Sequence, residues 1–174
     1  MKTPPLLPEE TLHRVLRMAN FNGLSVLAVS GLLTLAVAST GDYVGAVIGL
    51  LVAASGAIEL HGAGLLRAGE SRGMRWLIAS QPYLAVIVLA YCGLRLMDYD
   101  PTAIRQVMNE ERRAQIAALG YDEATFERVY YVSMYAILGV STLIYQGAMT
   151  VYYGRRRRAV AAALGEEEEP PRFN

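Results

Sequence analysis

The sequence predicts an all-α integral membrane protein: a bundle of four transmembrane helices with an extra amphipathic helical segment between the third and fourth spans. Three observations lead to this class. Hydrophobic residues make up 53% of the 174 residues and charged residues only 18%. The mean hydropathy is +0.27. Four stretches are almost free of charge, and each reaches the about 20 apolar residues that a membrane-spanning helix needs.

The charged residues delimit the four spans. We place them in a membrane domain of residues 1–158, at about residues 20–40, 43–66, 76–97 and 129–154. The first and fourth spans contain no charged residue, and the third has only Arg95, close to its end. The second span is the exception, because Glu59 and His61 interrupt its apolar sequence.

The distribution of Lys and Arg predicts the orientation. Basic residues are concentrated in the N-terminal segment, in the loop 67–75 and immediately after the fourth span. The connection 98–128 contains more acidic than basic residues. Because cytoplasmic loops carry the excess of Lys and Arg, we expect a multi-pass protein of the plasma (inner) membrane with both termini in the cytoplasm.

The segments outside the spans have their own signals. Asp100 and Pro101 are typical of a helix start, and Gly120 of a helix end, so an exterior helical segment is predicted at about 100–120. The connection 98–128 is a candidate docking surface for a protein partner. Residues 8–19 have amphipathic spacing and are expected either to lie on the inner leaflet or to lead directly into the first span.

The C-terminal segment begins with a basic run. Its four arginines are interpreted as a topology anchor that contacts anionic lipid, and they are Arg155, Arg156, Arg157 and Arg158. Residues 159–174 are predicted to form a cytoplasmic tail that is partly disordered, because an acidic run and two prolines close the chain.

Glu59 is the strongest functional signal. A carboxylate near the bilayer centre costs roughly 2.5–3.5 kcal/mol on insertion scales. Its neighbours one turn away on the helix are all small: Ser55, Gly56, Gly62 and Ala63. Small residues let another helix approach closely, so Glu59 is expected to face a helix contact or an internal cavity rather than lipid. Two interpretations stay open: a proton- or cation-binding site, and a polar clamp that fixes helix packing.

Polar residues of the three other spans are expected at the depth of Glu59. They are Ser25 of the first span, Gln81 and Tyr83 of the third, and Tyr145 and Gln146 of the fourth. His61 points away from Glu59 on the helix, so interfacial packing is the first expectation for it and a proton relay the second.

Small residues recur along the second and fourth spans. The positions expected at helix-packing or oligomer interfaces are Gly45, Gly49, Ala53, Gly56, Gly139 and Gly147. Two small-residue surfaces on the second span indicate one contact within the chain and one between chains. We therefore expect a homo-oligomer in the lipid bilayer.

Composition and motifs also exclude functions. The 16 basic and 16 acidic residues cancel, so no net positive field attracts nucleic acid. One cysteine and two histidines leave no basis for a metal centre or a cofactor. No motif typical of a hydrolase, metalloprotease or nucleotide-binding protein occurs, which disfavours an enzyme.

Two function hypotheses follow. The first is an oligomeric ion channel or transporter-like protein with a buried acidic site in the inner leaflet. The alternative is a non-catalytic membrane subunit, sensor or scaffold that assembles with itself or with a partner. An enzyme that acts on lipid or quinone is the most distant alternative.

Overall fold

The computed structural model describes residues 7–102, 113, 115, 116, 118, 120 and 122–165. Over these residues the chain forms four long α-helices and no strand: α1 (Pro8–Ser39), α2 (Tyr43–Arg67), α3 (Gly73–Met97) and α4 (Glu123–Ala163). Each is long and apolar enough to cross a membrane, which confirms the all-α class and indicates a multi-pass membrane protein. Most of the exterior segment predicted at about 100–120 lies outside the described residues.

Helix ends coincide with the residues that favour them. Gly41 adopts φ +82° in the turn between α1 and α2, a conformation that side chains rarely allow. Asp42 then caps α2, because its Oδ1 accepts a hydrogen bond of 2.8 Å from the backbone N–H of Gly45. Beyond the end of α2, Gly69 adopts φ +83° and turns the chain toward α3. Three residues between α1 and α2 are therefore enough to form a helical hairpin.

α1 is one continuous helix from Pro8, so residues 8–19 lead directly into the first span. Val15 and Ala19 are fully buried in a hydrophobic core. The amphipathic spacing of residues 8–19 therefore reflects packing against other helices of the chain. The structure shows the segment as a direct extension of the first span.

The described residues form two compact units. The first contains the chain up to Ile87 and again from Tyr145 onward. All four helices contribute side chains to its core, which consists of Val15, Ala19, Ala63, Leu66, Met74, Leu77, Met149, Tyr153 and Val160. This core fixes the four helices against each other at the level of the candidate site.

Glycines allow α2 to approach two neighbours in the first unit. A Cβ atom added to Gly56 would lie 2.6 Å from the carbonyl oxygen of Gly23 in α1. A Cβ added to Gly62 would lie 2.9 Å from the carbonyl oxygen of Gly73 in α3. Backbone therefore meets backbone on both sides of the α2 segment that carries Glu59.

The second unit, residues 88–144, has a core of aromatic side chains. Tyr131 and Tyr135 are buried beside Cys92, with Tyr91 packed against them. The Tyr131 hydroxyl donates a hydrogen bond of 2.8 Å to the backbone carbonyl of Arg95, which ties α4 to the end of α3 within this unit. A cavity of about 320 Å³ adjoins the cluster and is lined by Leu96, Tyr99, Arg128, Tyr131 and Val132.

Replacing Tyr131 with phenylalanine is expected to lower the free energy of unfolding by about 1 kcal/mol, because the variant keeps the ring but loses the hydrogen bond to Arg95. Thermal unfolding of the purified protein measures the change. Tyr130→Phe is the matched control, since Tyr130 is 52% exposed and its ring stacks on Phe126. An equal loss of stability in both variants would contradict the prediction.

α4 is longer than the fourth span that the sequence predicts. It begins after Asp122, whose carboxylate accepts a hydrogen bond of 3.1 Å from the backbone N–H of Thr125, and it continues to Ala163. Residues 159–163, which the sequence analysis placed in the tail, are thus helical. An alanine-rich run after the arginines has high helix propensity, and Val160 is held in the core of the first unit.

Candidate functional site

Glu59 lies inside the first unit and not at its lipid-facing surface. Its side chain is only 2% exposed. The small residues one turn before and after it are buried as well, as the backbone contacts of Gly56 and Gly62 require. Glu59 lies about 12 Å along the helix axis from Arg67, at about 1.5 Å per residue, so it is well inside the span.

Two neutral side chains donate hydrogen bonds to the Glu59 carboxylate. The Asn22 amide nitrogen of α1 lies 2.6 Å from Oε2, and the Tyr153 hydroxyl of α4 lies 2.5 Å from Oε1. Asn22 is 7% exposed and Tyr153 is fully buried, so water competes little for either bond.

A third hydrogen bond extends this arrangement. The Tyr145 hydroxyl donates to the Asn22 amide oxygen over 2.9 Å. Tyr145, Asn22, Glu59 and Tyr153 therefore form one continuous chain of hydrogen bonds, which we call the Glu59 network. The network connects α1, α2 and α4. The Asn22 amide links its two halves, because it accepts a hydrogen bond from Tyr145 and donates one to Glu59.

α3 contributes Gln81, which is only 1% exposed. Leu77 of α3 lies against Gly62 of α2. Gln81 is one turn after Leu77, and Glu59 is about one turn before Gly62. Because α2 and α3 run in opposite directions, Gln81 and Glu59 lie at the same level. Gln81 is accordingly a third neutral side chain within reach of the Glu59 carboxylate. Its amide nitrogen lies 3.0 Å from the Ser80 hydroxyl oxygen.

Two buried amide oxygens beside the network accept no hydrogen bond. In the described part of the chain, neither Gln81 Oε1 nor Gln146 Oε1 has a partner. Gln146 is 6% exposed and precedes Tyr153 by two helical turns, so the two residues share a face of α4. Most buried polar groups are satisfied, so two unpaired acceptors among the described residues are unusual.

Glu59 has no ion-pair partner within the described residues. Other acids of the first unit do have one, since Glu10 pairs with Arg14 and Glu70 with Arg72. An ionised carboxylate without a cation is costly in a medium of low polarity, even with two donors. A bound proton or cation would remove that cost.

Two of the residues predicted for this site lie elsewhere. His61 is exposed, and its ring meets Trp76 edge-on at 5.3 Å between ring centroids. Tyr83 is half-buried, and its hydroxyl makes no hydrogen bond among the described residues. Of the other predicted residues, Tyr145 belongs to the Glu59 network, and Gln81 and Gln146 provide the unpaired oxygens beside it.

Asn22 and Tyr153, the two direct donors, were not predicted. Tyr153 lies two residues before the basic run, a position typical of the aromatic residues at a membrane surface. The sequence does contain a signal for Tyr153. It lies seven residues after Gln146, so the two polar side chains share one face of the helix. Asn22 is a carboxamide in an uncharged span, where a polar side chain normally has a partner.

The small residues of α2 are used within the chain. Gly45 contacts Val37, Gly49 contacts Thr34 and Gly56 contacts Gly23, all three toward α1, while Ala53 is buried. The other surface, at Gly62, is occupied by α3. These glycines are therefore used within the chain, whereas Gly64 of α2 has no atom within 4 Å of an added Cβ, and the expected homo-oligomer stays a prediction.

The small residues of α4 differ from each other. Gly139 packs near Leu89 in the second unit, where an added Cβ would lie 3.5 Å from that side chain. Gly147 has no atom within 4 Å of such a Cβ. Gly147 is thus on an open face of α4 in the described structure.

The arginines after the fourth span remain on α4. Arg156 lies over the Tyr152 ring, with 3.7 Å between the guanidinium carbon and the ring centroid. Arg155 and Arg157 are exposed. The run is thus held on a rigid helix that is anchored by the adjacent core residue Val160.

Comparison with known proteins gives no relative: no family model, curated protein or solved structure matches this chain.

Proposed function

We propose that this chain is a transporter-like membrane protein in which Glu59 binds and releases a proton or a small cation. The observation that carries the proposal is a carboxylate at 2% exposure inside a membrane helix, hydrogen-bonded by neutral donors and without an ion-pair partner among the described residues. Ionisable groups in this setting mark ion pathways and proton relays in membrane proteins.

The chemistry follows from the charge of the site. When Glu59 is ionised, the Asn22 amide and the Tyr153 hydroxyl stabilise the negative charge by two hydrogen bonds. When a cation or proton binds, the site becomes neutral and the cost of the buried charge disappears. Binding and release therefore change the relative stability of two arrangements of the helices around Glu59, as a transporter requires.

A transporter is favoured over an oligomeric channel. The Glu59 network is formed by one chain, and Gly56 and Gly62 of α2 meet α1 and α3 of that same chain. A pore between copies therefore needs a different helix surface, whereas a carrier needs only a change in access to Glu59. The open positions Gly64 of α2 and Gly147 of α4 are candidate surfaces for a homo-oligomer.

The proposed setting is a four-span bundle in the plasma (inner) membrane with both termini in the cytoplasm. Basic residues support this orientation, because they cluster before α1, between α2 and α3, and at Arg155–Arg158 after the apolar part of α4. The exposed arginines would face anionic lipid headgroups there. Glu59 then lies in the inner half of the bilayer.

Glu59→Gln is expected to reduce ion flux into liposomes at least about tenfold, because the amide keeps the shape of the side chain but cannot change its charge. The reconstituted protein is tested with enclosed proton- and sodium-sensitive dyes under imposed gradients. Glu70→Gln is the matched control, since this acid lies in the α2–α3 turn and pairs with Arg72. Flux that is unchanged in Glu59→Gln would exclude Glu59 as the carrier.

The second candidate is a non-catalytic membrane subunit, sensor or scaffold. It is favoured by the same hydrogen bonds, because a carboxylate held by donors from α1 and α4 is an effective clamp between helices. The arginine-bearing end of α4 and the connection 98–128 would then be the docking surfaces for a partner. Wild-type liposomes that pass no ion under any gradient would favour this function.

A further inference from the structure

We propose that the protein binds one dehydrated alkali-metal cation beside the Glu59 network. Its ligands are the Glu59 carboxylate and the amide oxygens of Gln81 and Gln146. The inference rests on the proposed function, since it names the ion for the same site. It is carried by two buried amide oxygens, of Gln81 and Gln146, that accept no hydrogen bond among the described residues.

The two amide oxygens have the chemistry of cation ligands. Gln81 is 1% exposed and Gln146 is 6% exposed, and the Oε1 atom of each lacks a partner among the residues that the structure describes. Amide carbonyl and carboxylate oxygens are hard ligands, which alkali and alkaline-earth cations prefer. A bound cation would satisfy both oxygens and the carboxylate together.

Helix register relates the three proposed ligands within the first unit. Gln81 is level with Glu59, because Gly62 and Leu77, which lie one turn away on α2 and α3, contact each other. Gln146 adjoins Tyr145, whose hydroxyl binds the Asn22 amide. It also shares the buried face of α4 with Tyr153, whose side chain leans toward it and reaches Glu59.

The charge of the site selects a monovalent cation. One carboxylate and neutral oxygens are neutralised by a single positive charge, whereas a divalent ion would leave a buried excess charge. No group of three or more His, Cys, Asp or Glu that could hold a metal occurs within the described residues. A proton would neutralise Glu59 but would leave both glutamine oxygens unpaired, so a cation fits the donor set better.

The test is cation-dependent stability of the full-length protein in detergent. Thermal unfolding is followed while sodium or potassium chloride replaces choline chloride at constant ionic strength. At a cation concentration about tenfold above Kd, the midpoint is expected to rise by about 3–6 °C. A midpoint that is the same in all three salts would overturn the proposal.

Three variants connect that shift to the ligands. Glu59→Gln is expected to abolish it, and Gln81→Leu and Gln146→Leu to reduce the cation affinity at least about tenfold, since each loses one oxygen at similar volume. Asn20→Leu is the control, because that amide bonds the backbone carbonyl of Leu16 outside the network. A full shift in both leucine variants would contradict the assignment.

The outcome is separable from that of the transport assay. Equilibrium binding of radioactive sodium to the purified protein, without flux in liposomes, would keep the cation site and reject transport. Proton flux that depends on Glu59 but not on any alkali cation, with no cation-dependent stability, would keep the proposed function and reject the site.

Discussion

Replacing Gly56 with alanine is expected to destabilise the protein by about 2–3 kcal/mol, at the upper end of the cost of overpacking a close-packed interior. The added Cβ would lie 2.6 Å from the Gly23 carbonyl oxygen and 2.8 Å from the Leu27 backbone nitrogen. Both atoms belong to the backbone of α1, so no side-chain rotation can relieve the contact. α1 must therefore move away from α2.

That movement would also reach the Glu59 network. Asn22 is adjacent to Gly23, and its amide nitrogen lies 2.6 Å from Glu59 Oε2. A shift of α1 large enough to accommodate a methyl group at Gly56 stretches this hydrogen bond. The variant is therefore expected to lose flux as well as stability.

Gly64→Ala is the matched control for this prediction. Gly64 lies in the same helix, and a Cβ at that position would have no atom within 4 Å. The same methyl group should leave the unfolding midpoint unchanged or raise it slightly, because alanine favours helix more than glycine. Thermal unfolding of both variants in one detergent gives the comparison, and equal midpoints would contradict a backbone contact at Gly56.

Much of the fold could be predicted because lipid imposes a simple rule. A stretch of about 20 apolar residues must satisfy its own backbone, so the number of helices follows from where the charges fall. The small neighbours of Glu59 likewise indicate close helix contacts. What they do not indicate is which helix lies against each glycine: α1 meets Gly56, α3 meets Gly62, and Gly64 faces neither.

The candidate site could be predicted only in part. Depth along each span correctly brings Gln81 and Tyr145 to the surroundings of Glu59, because antiparallel helices keep their register. Depth does not specify in which direction around the helix axis a side chain points. Tyr83 was therefore predicted at the site, although the tyrosine that binds Glu59 is Tyr153. A tyrosine side chain also reaches far from its own backbone, so a residue next to the basic run can bind a carboxylate deep in the span.

Replacing Tyr153 with phenylalanine is expected to cost about 1.5–3 kcal/mol, the range for a hydrogen bond to a charged group. The variant retains the ring, which belongs to the core of the first unit, and removes only the donor to Glu59 Oε1. Tyr145→Phe is the matched control. Its hydroxyl binds a neutral amide oxygen on Asn22, so its loss should cost only about 1 kcal/mol.

A double-mutant cycle with Glu59→Gln identifies the acceptor. In the Glu59→Gln background the Tyr153 hydroxyl would face a neutral amide oxygen, so Tyr153→Phe should cost only about 1 kcal/mol there. The difference between the two backgrounds, roughly 1 kcal/mol, is the contribution of the carboxylate charge to this hydrogen bond. Unfolding of all four proteins under the same conditions measures it. Equal costs of Tyr153→Phe in both backgrounds would mean that the hydroxyl does not bind an ionised Glu59, and the charge-based reasoning for ion uptake at this site would then fail.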